Sequence, residues 1–162
     1  MTIRYIKVLL ALSVGLWGLI GLVGNLAGLP DIYAAVQKIT SMSGIPEDVG
    51  PPWRTTNAIV VSLGVVAIVL GKLAAVLAGF GGVVMFRNRG ASAEDFRQSK
   101  KWAVAGAGLA FALMFLGFTV MAETAFFMFF GPEAGAGALA FRYSASFALI
   151  ALFLAQPEVD RS

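Results

Sequence analysis

Three ionisable side chains interrupt the long apolar stretches of the chain: Lys72, Glu123 and Arg142. A charge in the middle of a membrane span costs about 2.5–3.5 kcal/mol on insertion scales, so such residues usually face the protein interior and pair. At about 1.5 Å per helical residue, Lys72 and Arg142 stand roughly 20 Å above one membrane boundary, and Glu123 lies near the opposite interface. The sequence therefore predicts an intramembrane charge cluster made of these three residues.

This predicted cluster has three interpretations. It is an ion-paired lock that sets helix register, a polar site for an anion, a proton or a lipid headgroup, or a set of long side chains that reach outward to water. Two cations against one carboxylate would leave the site net positive, which favours an anionic guest. Five other polar side chains could supply hydrogen bonds there: Asn25, Asn57, Thr119, Tyr143 and Ser144.

Cysteine and histidine are both absent from the 162 residues. The chain therefore has no disulfide, no thiolate nucleophile and neither the commonest proton shuttle nor the commonest metal ligand. A Ser-His-Asp triad and a histidine-ligated haem are excluded for this chain alone. We accordingly predict no catalytic residues, no metal site and no cofactor.

Membrane helices must position these charges. Of the residues, 59% are hydrophobic and 13% are charged, and the mean hydropathy is +0.84. Soluble domains carry about 25% charge, so a soluble enzyme, a disordered tail and a nucleic-acid binder are excluded. The predicted fold is an all-α four-transmembrane-helix bundle, one membrane domain over residues 1–162, whose first span is an uncleaved helix. The four spans are expected at residues 8–29, 57–86, 102–130 and 134–155.

The distribution of Lys and Arg predicts the orientation of the bundle. With four spans both termini share a side, which holds eight basic residues, whereas the other side holds two, Lys38 and Arg54. Both termini and the 87–101 loop are therefore expected in the cytoplasm. Topology alone explains the basic 87–101 loop, and contact with anionic lipid or a soluble partner is the alternative.

Two short helices are predicted outside the spans. Ser92 followed by two acidic residues is typical of a helix N-cap, so a helix is expected from about Ala93 into the third span. In the first outer loop, apolar residues at helical spacing predict a short amphipathic helix over residues 31–42, either on the membrane surface or folded over the bundle. Its apolar stripe comprises Ile32, Val36, Ile39 and Met42.

Small residues recur at helical spacing within the spans. Lipid supplies no hydrophobic drive between helices, so close backbone approach at small residues stabilises their packing. These stripes predict a tightly packed bundle, and a stripe left over for a partner protein is the alternative. They comprise Gly15, Gly18, Gly21 and Gly24 in the first span, Ala67, Gly71, Ala75, Ala78 and Gly82 in the second, and Ser144, Ala148, Ala151 and Ala155 in the fourth.

Short motifs near the last two spans carry a family resemblance. An acid followed by aromatic residues lies in 122–130, a Phe-Arg pair lies in 140–143, and Gln-Pro follows the last span in 155–158. With Trp53-Arg54 in the outer loop, these motifs resemble a bacterial family of predicted small four-span integral membrane proteins, a domain of unknown function. The resemblance implies four spans and a bacterial inner membrane, and it implies no established activity.

The leading functional hypothesis is a non-catalytic inner-membrane protein that serves as an accessory or structural subunit of a larger membrane complex. The alternative is a small homo-oligomeric transporter or channel for a small anion or proton that uses Lys72, Glu123 and Arg142. A membrane enzyme with Glu123 as acid or base ranks third, because no second catalytic group stands beside it in the sequence. Expected partners are the lipid bilayer and either another protein or a second copy, with no nucleic acid.

Overall fold

A computed structural model of the protein describes residues 2–158. Its described residues form helices and connecting turns, without a β-strand. The helices are α1 (Thr2–Ala27), α2 (Leu29–Thr40), α3 (Ala58–Arg87), α4 (Ala93–Ser99), α5 (Lys101–Met114) and α6 (Ala134–Ala155). α5 continues without a break into a π-helical segment, Phe115–Ala125, and a 3-10 turn, Met128–Phe130, precedes α6.

Four of these helical stretches are long and apolar enough to cross a membrane: α1, α3, the run from α4 to Ala125, and α6. The predicted all-α fold with four long apolar helices is thereby confirmed. Residues 2–8, 87–101 and 156–158 gather at one end, called here the terminal end, and residues 28–57 and 126–134 gather at the loop end. Arg161, one of the eight basic residues used for orientation, lies outside the described residues.

Backbone contacts at small residues hold α3 between α1 and α5. Gly15 of α1 meets Gly79 of α3 backbone to backbone, with no room for a Cβ at either position. On a neighbouring face of α3, the backbone of Ala78 lies directly against Gly106 of α5. The predicted packing by small residues is confirmed here, because side chains of this size let the helix axes approach closely.

Two clusters of buried side chains fill this packed part of the bundle. One cluster, near mid-bundle, combines the alanines of α3 and α5 with Val14 and Phe147. The other lies at the terminal end and contains Val8, Met85, Phe96 and Leu154, all nearly inaccessible. α6 joins through these clusters and through its packing on α5 and the π-helical segment. The half of the bundle at the terminal end is therefore tightly packed.

α2 folds back over the loop end of the bundle. Pro30 and Asp31 occupy its first turn, as suits a helix start. Val36 is buried and packs directly on Gly64 of α3. The helix predicted over residues 31–42 ends earlier, at Thr40, because Met42 adopts a left-handed backbone with φ of 53°.

The third span also ends earlier than predicted. Helix was expected through residue 130, but it stops at Ala125 and the chain reverses at Phe127, whose φ is 52°. The amide of Phe126 still donates to the carbonyl of Met121 at 3.0 Å, closing the last π-type turn. Trp53 then donates from Nε1 to the carbonyl of Ala125 at 2.9 Å, which ties the outer loop to this helix end.

The N-cap predicted at Ser92 is confirmed. Its Oγ accepts a hydrogen bond from the amide of Asp95 at 3.1 Å, and α4 begins at Ala93. Lys100 keeps helical backbone angles between α4 and α5, so the short helix runs on into the third span as expected.

Two glycines of α5 test the importance of backbone contact. A methyl group at Gly106 would overlap α3, whereas one at Gly108 would meet open space. We expect Gly106→Ala to lower the free energy of unfolding by about 1–3 kcal/mol through overpacking. Gly108→Ala is the matched control and should leave stability unchanged or slightly raised, because alanine favours helix. Thermal unfolding in detergent micelles measures both, and equal stability of the two variants would contradict the packing.

Candidate functional site

A cavity of about 500 Å³ lies in the loop-end half of the bundle, between α1, α3, the π-helical segment and α6. Residues of α2 line its side toward the loop end. Its size falls within the range of about 300–1,000 Å³ that is typical of small-molecule sites. The wall is mainly aliphatic and aromatic, and its lining also includes Asn25, Thr40, Lys72 and Tyr143.

Lys72 extends from α3 toward α1 along one side of this cavity. Its Nζ stands 3.3 Å from the centroid of the Trp17 indole, a cation–π contact. The end of the side chain lies against Gly21, where any Cβ would collide with it. Within residues 2–158, Lys72 forms no ion pair with a carboxylate. The indole therefore provides the electrostatic contact that a carboxylate would otherwise provide.

Aromatic rings link this lysine to α6. The Trp17 ring is tilted against Tyr143 with a centroid distance of 5.0 Å, and it meets Phe147 edge-on at 4.9 Å. Such edge and tilted arrangements are the favoured geometries of aromatic pairs. These ring contacts join α1 to α6 at the inner end of the cavity.

Asn25, another residue of the cavity wall, carries a second donor. Its Nδ2 is buried and has no hydrogen-bond partner among the described residues. Asn25 follows Gly21 by one helical turn, about 6 Å along α1, and so lies on the same face as the end of Lys72. A buried amide without an acceptor loses a hydrogen bond that water would provide, at a cost of about 1–3 kcal/mol.

Glu123 and Arg142 lie away from this cavity. Glu123 is half-buried on the π-helical segment, and its carboxylate rests on Gly137 of α6 beside Met128. Arg142 is exposed on α6. Neither forms an ion pair among residues 2–158.

The three intramembrane charges consequently occupy three separate environments. Lys72 points toward α1, Glu123 toward the start of α6, and Arg142 to the outside of the bundle. The structure therefore does not bring the predicted cluster together through ion pairs. The cause is helical geometry, because residues at compatible heights still point to different sides of their helices.

The five polar neighbours named from the sequence also divide. Asn25 and Tyr143 line the cavity with Lys72. Asn57 caps α3 by accepting from the amide of Ile59 at 2.8 Å, and it is exposed. The hydroxyl of Ser144 donates to the carbonyl of Phe141 at 3.0 Å, and the carbonyl of Thr119 accepts from a neighbouring hydroxyl in the same segment.

A second polar cluster, which sequence reasoning did not identify, closes the terminal end. Nζ of Lys7 lies 2.5 Å from Oε1 of Glu158, and Nζ of Lys100 lies 3.0 Å from the same oxygen. Both ammonium groups also donate to the carbonyl of Gln156, at 2.9 and 2.6 Å. The side chains of all three charged residues are at most 5% exposed. We call these four residues the Glu158 cluster.

Two opposing effects determine the pKa of Glu158 in this cluster. Burial opposes ionisation of Glu158, but hydrogen bonds from Lys7 and Lys100 outweigh it and hold the pKa of the carboxyl below its usual value. The cluster joins the start of α1, the start of α5 and the segment after α6. From the sequence alone, Lys7 and Lys100 are interpreted only as indicators of membrane topology. The available signal was a carboxylate just beyond a span on the side that carries most of the cations.

Residues 2–158 contain no group of three acidic, His or Cys side chains that could hold a metal ion. The chemical resources of the fold are therefore a cation beside an apolar cavity, an isolated carboxylate, an exposed guanidinium and a buried ionic cluster. These groups can bind and orient charged molecules.

Comparison with known proteins identifies a family that matches most of the chain. A family model described as predicted small integral membrane protein (DUF2165) matches residues 3–157, nearly the whole chain. No curated protein and no solved structure shows significant similarity to the chain.

The Glu158 cluster predicts a dependence of stability on pH. Since the pKa of Glu158 is lowered on folding, its stabilisation is fully present above the ordinary glutamate pKa, about 4.3, and is lost as the pH falls further. Glu158→Gln should lower the free energy of unfolding at pH 7 by about 1.5–3 kcal/mol. Thermal unfolding in detergent at pH 7 and at acidic pH measures this effect.

Glu94→Gln is the matched control for this experiment. Glu94 also pairs with a basic residue, Arg97, but both side chains are largely exposed. Exposed pairs contribute little, so the control should unfold like the wild type at pH 7. An identical acid response of the wild type and Glu158→Gln would contradict the assigned role.

Proposed function

Because the chain belongs to the family described as predicted small integral membrane protein (DUF2165), we propose a function that is carried out within the membrane. We propose that it is a non-catalytic accessory subunit of a larger complex in a bacterial inner membrane, with both termini in the cytoplasm. The excess of eight basic residues over two on the side of the termini supports this orientation. α6 is the helix that contacts the partner.

The observation that best supports an accessory-subunit role is the exposure of Arg142. Arg142 lies eight residues from the start of α6 and thirteen from its end, so its Cα is about 12 Å from the nearer helix end. It is exposed and forms no ion pair with the described residues. Exposed, unpaired arginine is costly at this depth in lipid. An acidic side chain on a neighbouring helix would offset the cost.

The surface around Arg142 suits close approach of such a helix. Ala138 and Ser146, one turn before and one turn after Arg142, lie on the same face of α6. Small residues on both sides let the backbone of another helix come near. The proposed occupant is a transmembrane helix of a different protein that carries Asp or Glu at the depth of Arg142.

Photo-crosslinking in native membranes tests this assignment. A crosslinking amino acid at Ala138 should join one partner helix, and Arg142→Gln should reduce the product roughly tenfold or more, as expected for loss of a desolvated charge pair. The same amino acid at Ile20, which is 65% exposed on α1, is the control site and should label lipid.

The decisive step is a charge exchange. Replacing Arg142 with Glu and the partner's acidic residue with Arg should restore the crosslink that either change alone removes. Crosslinks from Ala138 to lipid alone, or to a second copy of this chain, would overturn the proposal. A partner helix without an acidic residue at this depth would overturn it as well.

A small homo-oligomeric transporter or channel for an anion or proton is the second candidate. The cavity supports it, because Lys72 has no carboxylate partner among the described residues and a cation in an apolar wall attracts an anion. Reconstituted vesicles loaded with chloride- or pH-sensitive dye should then show flux that Lys72→Met abolishes. Flux that is absent, or unchanged in Lys72→Met, Glu123→Gln and Arg142→Gln, would remove this candidate.

A further inference from the structure

We propose that the loop-end cavity binds an anionic amphiphile, a molecule with one carboxylate or phosphate head group and a long apolar body. The proposal is independent of the partner surface on α6, and it requires binding without transport. It rests on two donors that have no acceptor among the described residues, at a cavity whose wall is mainly apolar.

The head group is expected between Lys72 and Asn25. The ammonium group of Lys72 faces the Trp17 indole on one side and has no carboxylate partner among the described residues. The Nδ2 of Asn25 lies buried on the same face of α1, also without an acceptor. Buried polar groups are normally hydrogen-bonded, and buried charges are normally paired. A single anionic group with two or three oxygens could accept from both donors once the Asn25 side chain, whose Nδ2 is buried, rotates toward the cavity.

The rest of the cavity wall is mainly apolar and would contact the apolar body of the ligand. On α3, Leu63, Ala67 and Ile68 line the cavity, and across from them stand Leu116 and Met121 of the π-helical segment. A small inorganic anion would leave this apolar wall without contacts. A neutral lipid chain would leave Lys72 without a counter-charge. Only a molecule with both parts satisfies both halves of the cavity.

The π-helical segment provides part of the room for this body. Gly117 lines the cavity, and a Cβ built there meets nothing within 4 Å. A bulky side chain at this position can therefore enter the cavity without displacing backbone. This gives a variant that fills the space and leaves Lys72 and Asn25 unchanged.

Trp17 is a built-in reporter for the test. Trp53 and Trp102 are replaced by Phe in the full-length chain, so that the fluorescence of Trp17 alone reports on Lys72. The protein is placed in phosphatidylcholine nanodiscs and titrated with three probes that share an oleyl-type chain of about 18 carbons. The probes are oleate, oleoyl lysophosphatidic acid and oleyl alcohol, each corrected for the signal from empty nanodiscs. Native mass spectrometry of the retained probe provides a second readout.

Oleate or oleoyl lysophosphatidic acid should bind roughly tenfold or more tightly than oleyl alcohol, since charge-assisted hydrogen bonds favour the anions. Preference for the first would indicate a free carboxylate ligand, and preference for the second a membrane phospholipid. Lys72→Met should remove this preference, and Asn25→Ala should reduce it. Gly117→Phe should weaken all three probes, whereas the exposed Lys101→Met is the control and should change none.

Equal affinity for oleate, lysophosphatidic acid and oleyl alcohol would overturn the proposal. An unchanged anion preference in Lys72→Met would also overturn it. If Lys72→Met does not fold, as judged by its helical circular dichroism, Asn25→Ala and Gly117→Phe decide. Binding that neither of these two variants weakens would place the probes outside the cavity and would refute the assignment.

Discussion

Contact between glycine and alanine backbones is the constraint on which the rest of the structure depends. Hydrophobic burial cannot distinguish the bundle from separate helices in lipid, so packing and polar contacts must do so. α3 uses its small residues on two sides, with Gly79 against α1 and Ala78 against α5. The three helices therefore form a fixed layer, to which α6 is added through α5 and the π-helical segment.

This arrangement explains why one half of the bundle is closed and the other holds a cavity. At the terminal end, the Glu158 cluster joins α1, α5 and the end of α6 by ionic hydrogen bonds. At mid-bundle, the rings of Trp17, Tyr143 and Phe147 join α1 to α6. Beyond these rings the helices enclose the cavity, and residues of α2 line it without filling it.

The elements of the fold were largely predictable from the sequence, and the grouping of the charged residues was not. Four apolar spans, the cap at Ser92 and the packing role of small residues follow from composition and local spacing. The early end of the third span depends on the reversal at Phe127, a left-handed non-glycine residue that no local pattern announces. Sequence position gives a height along each helix, but neighbour packing sets the direction of each side chain. For that reason Lys72 met Trp17 and not Glu123.

Charged residues that serve the fold differ from those available for function in whether the fold supplies their partner. Lys7 and Lys100 share one buried carboxylate, so their charges are used within the fold. Lys72 and Arg142 have no such partner among residues 2–158. On α6, Arg142 faces outward, and the adjacent Tyr143 faces the cavity, since successive helical residues are turned by about 100°. The two proposed binding surfaces therefore lie on different faces of a single helix.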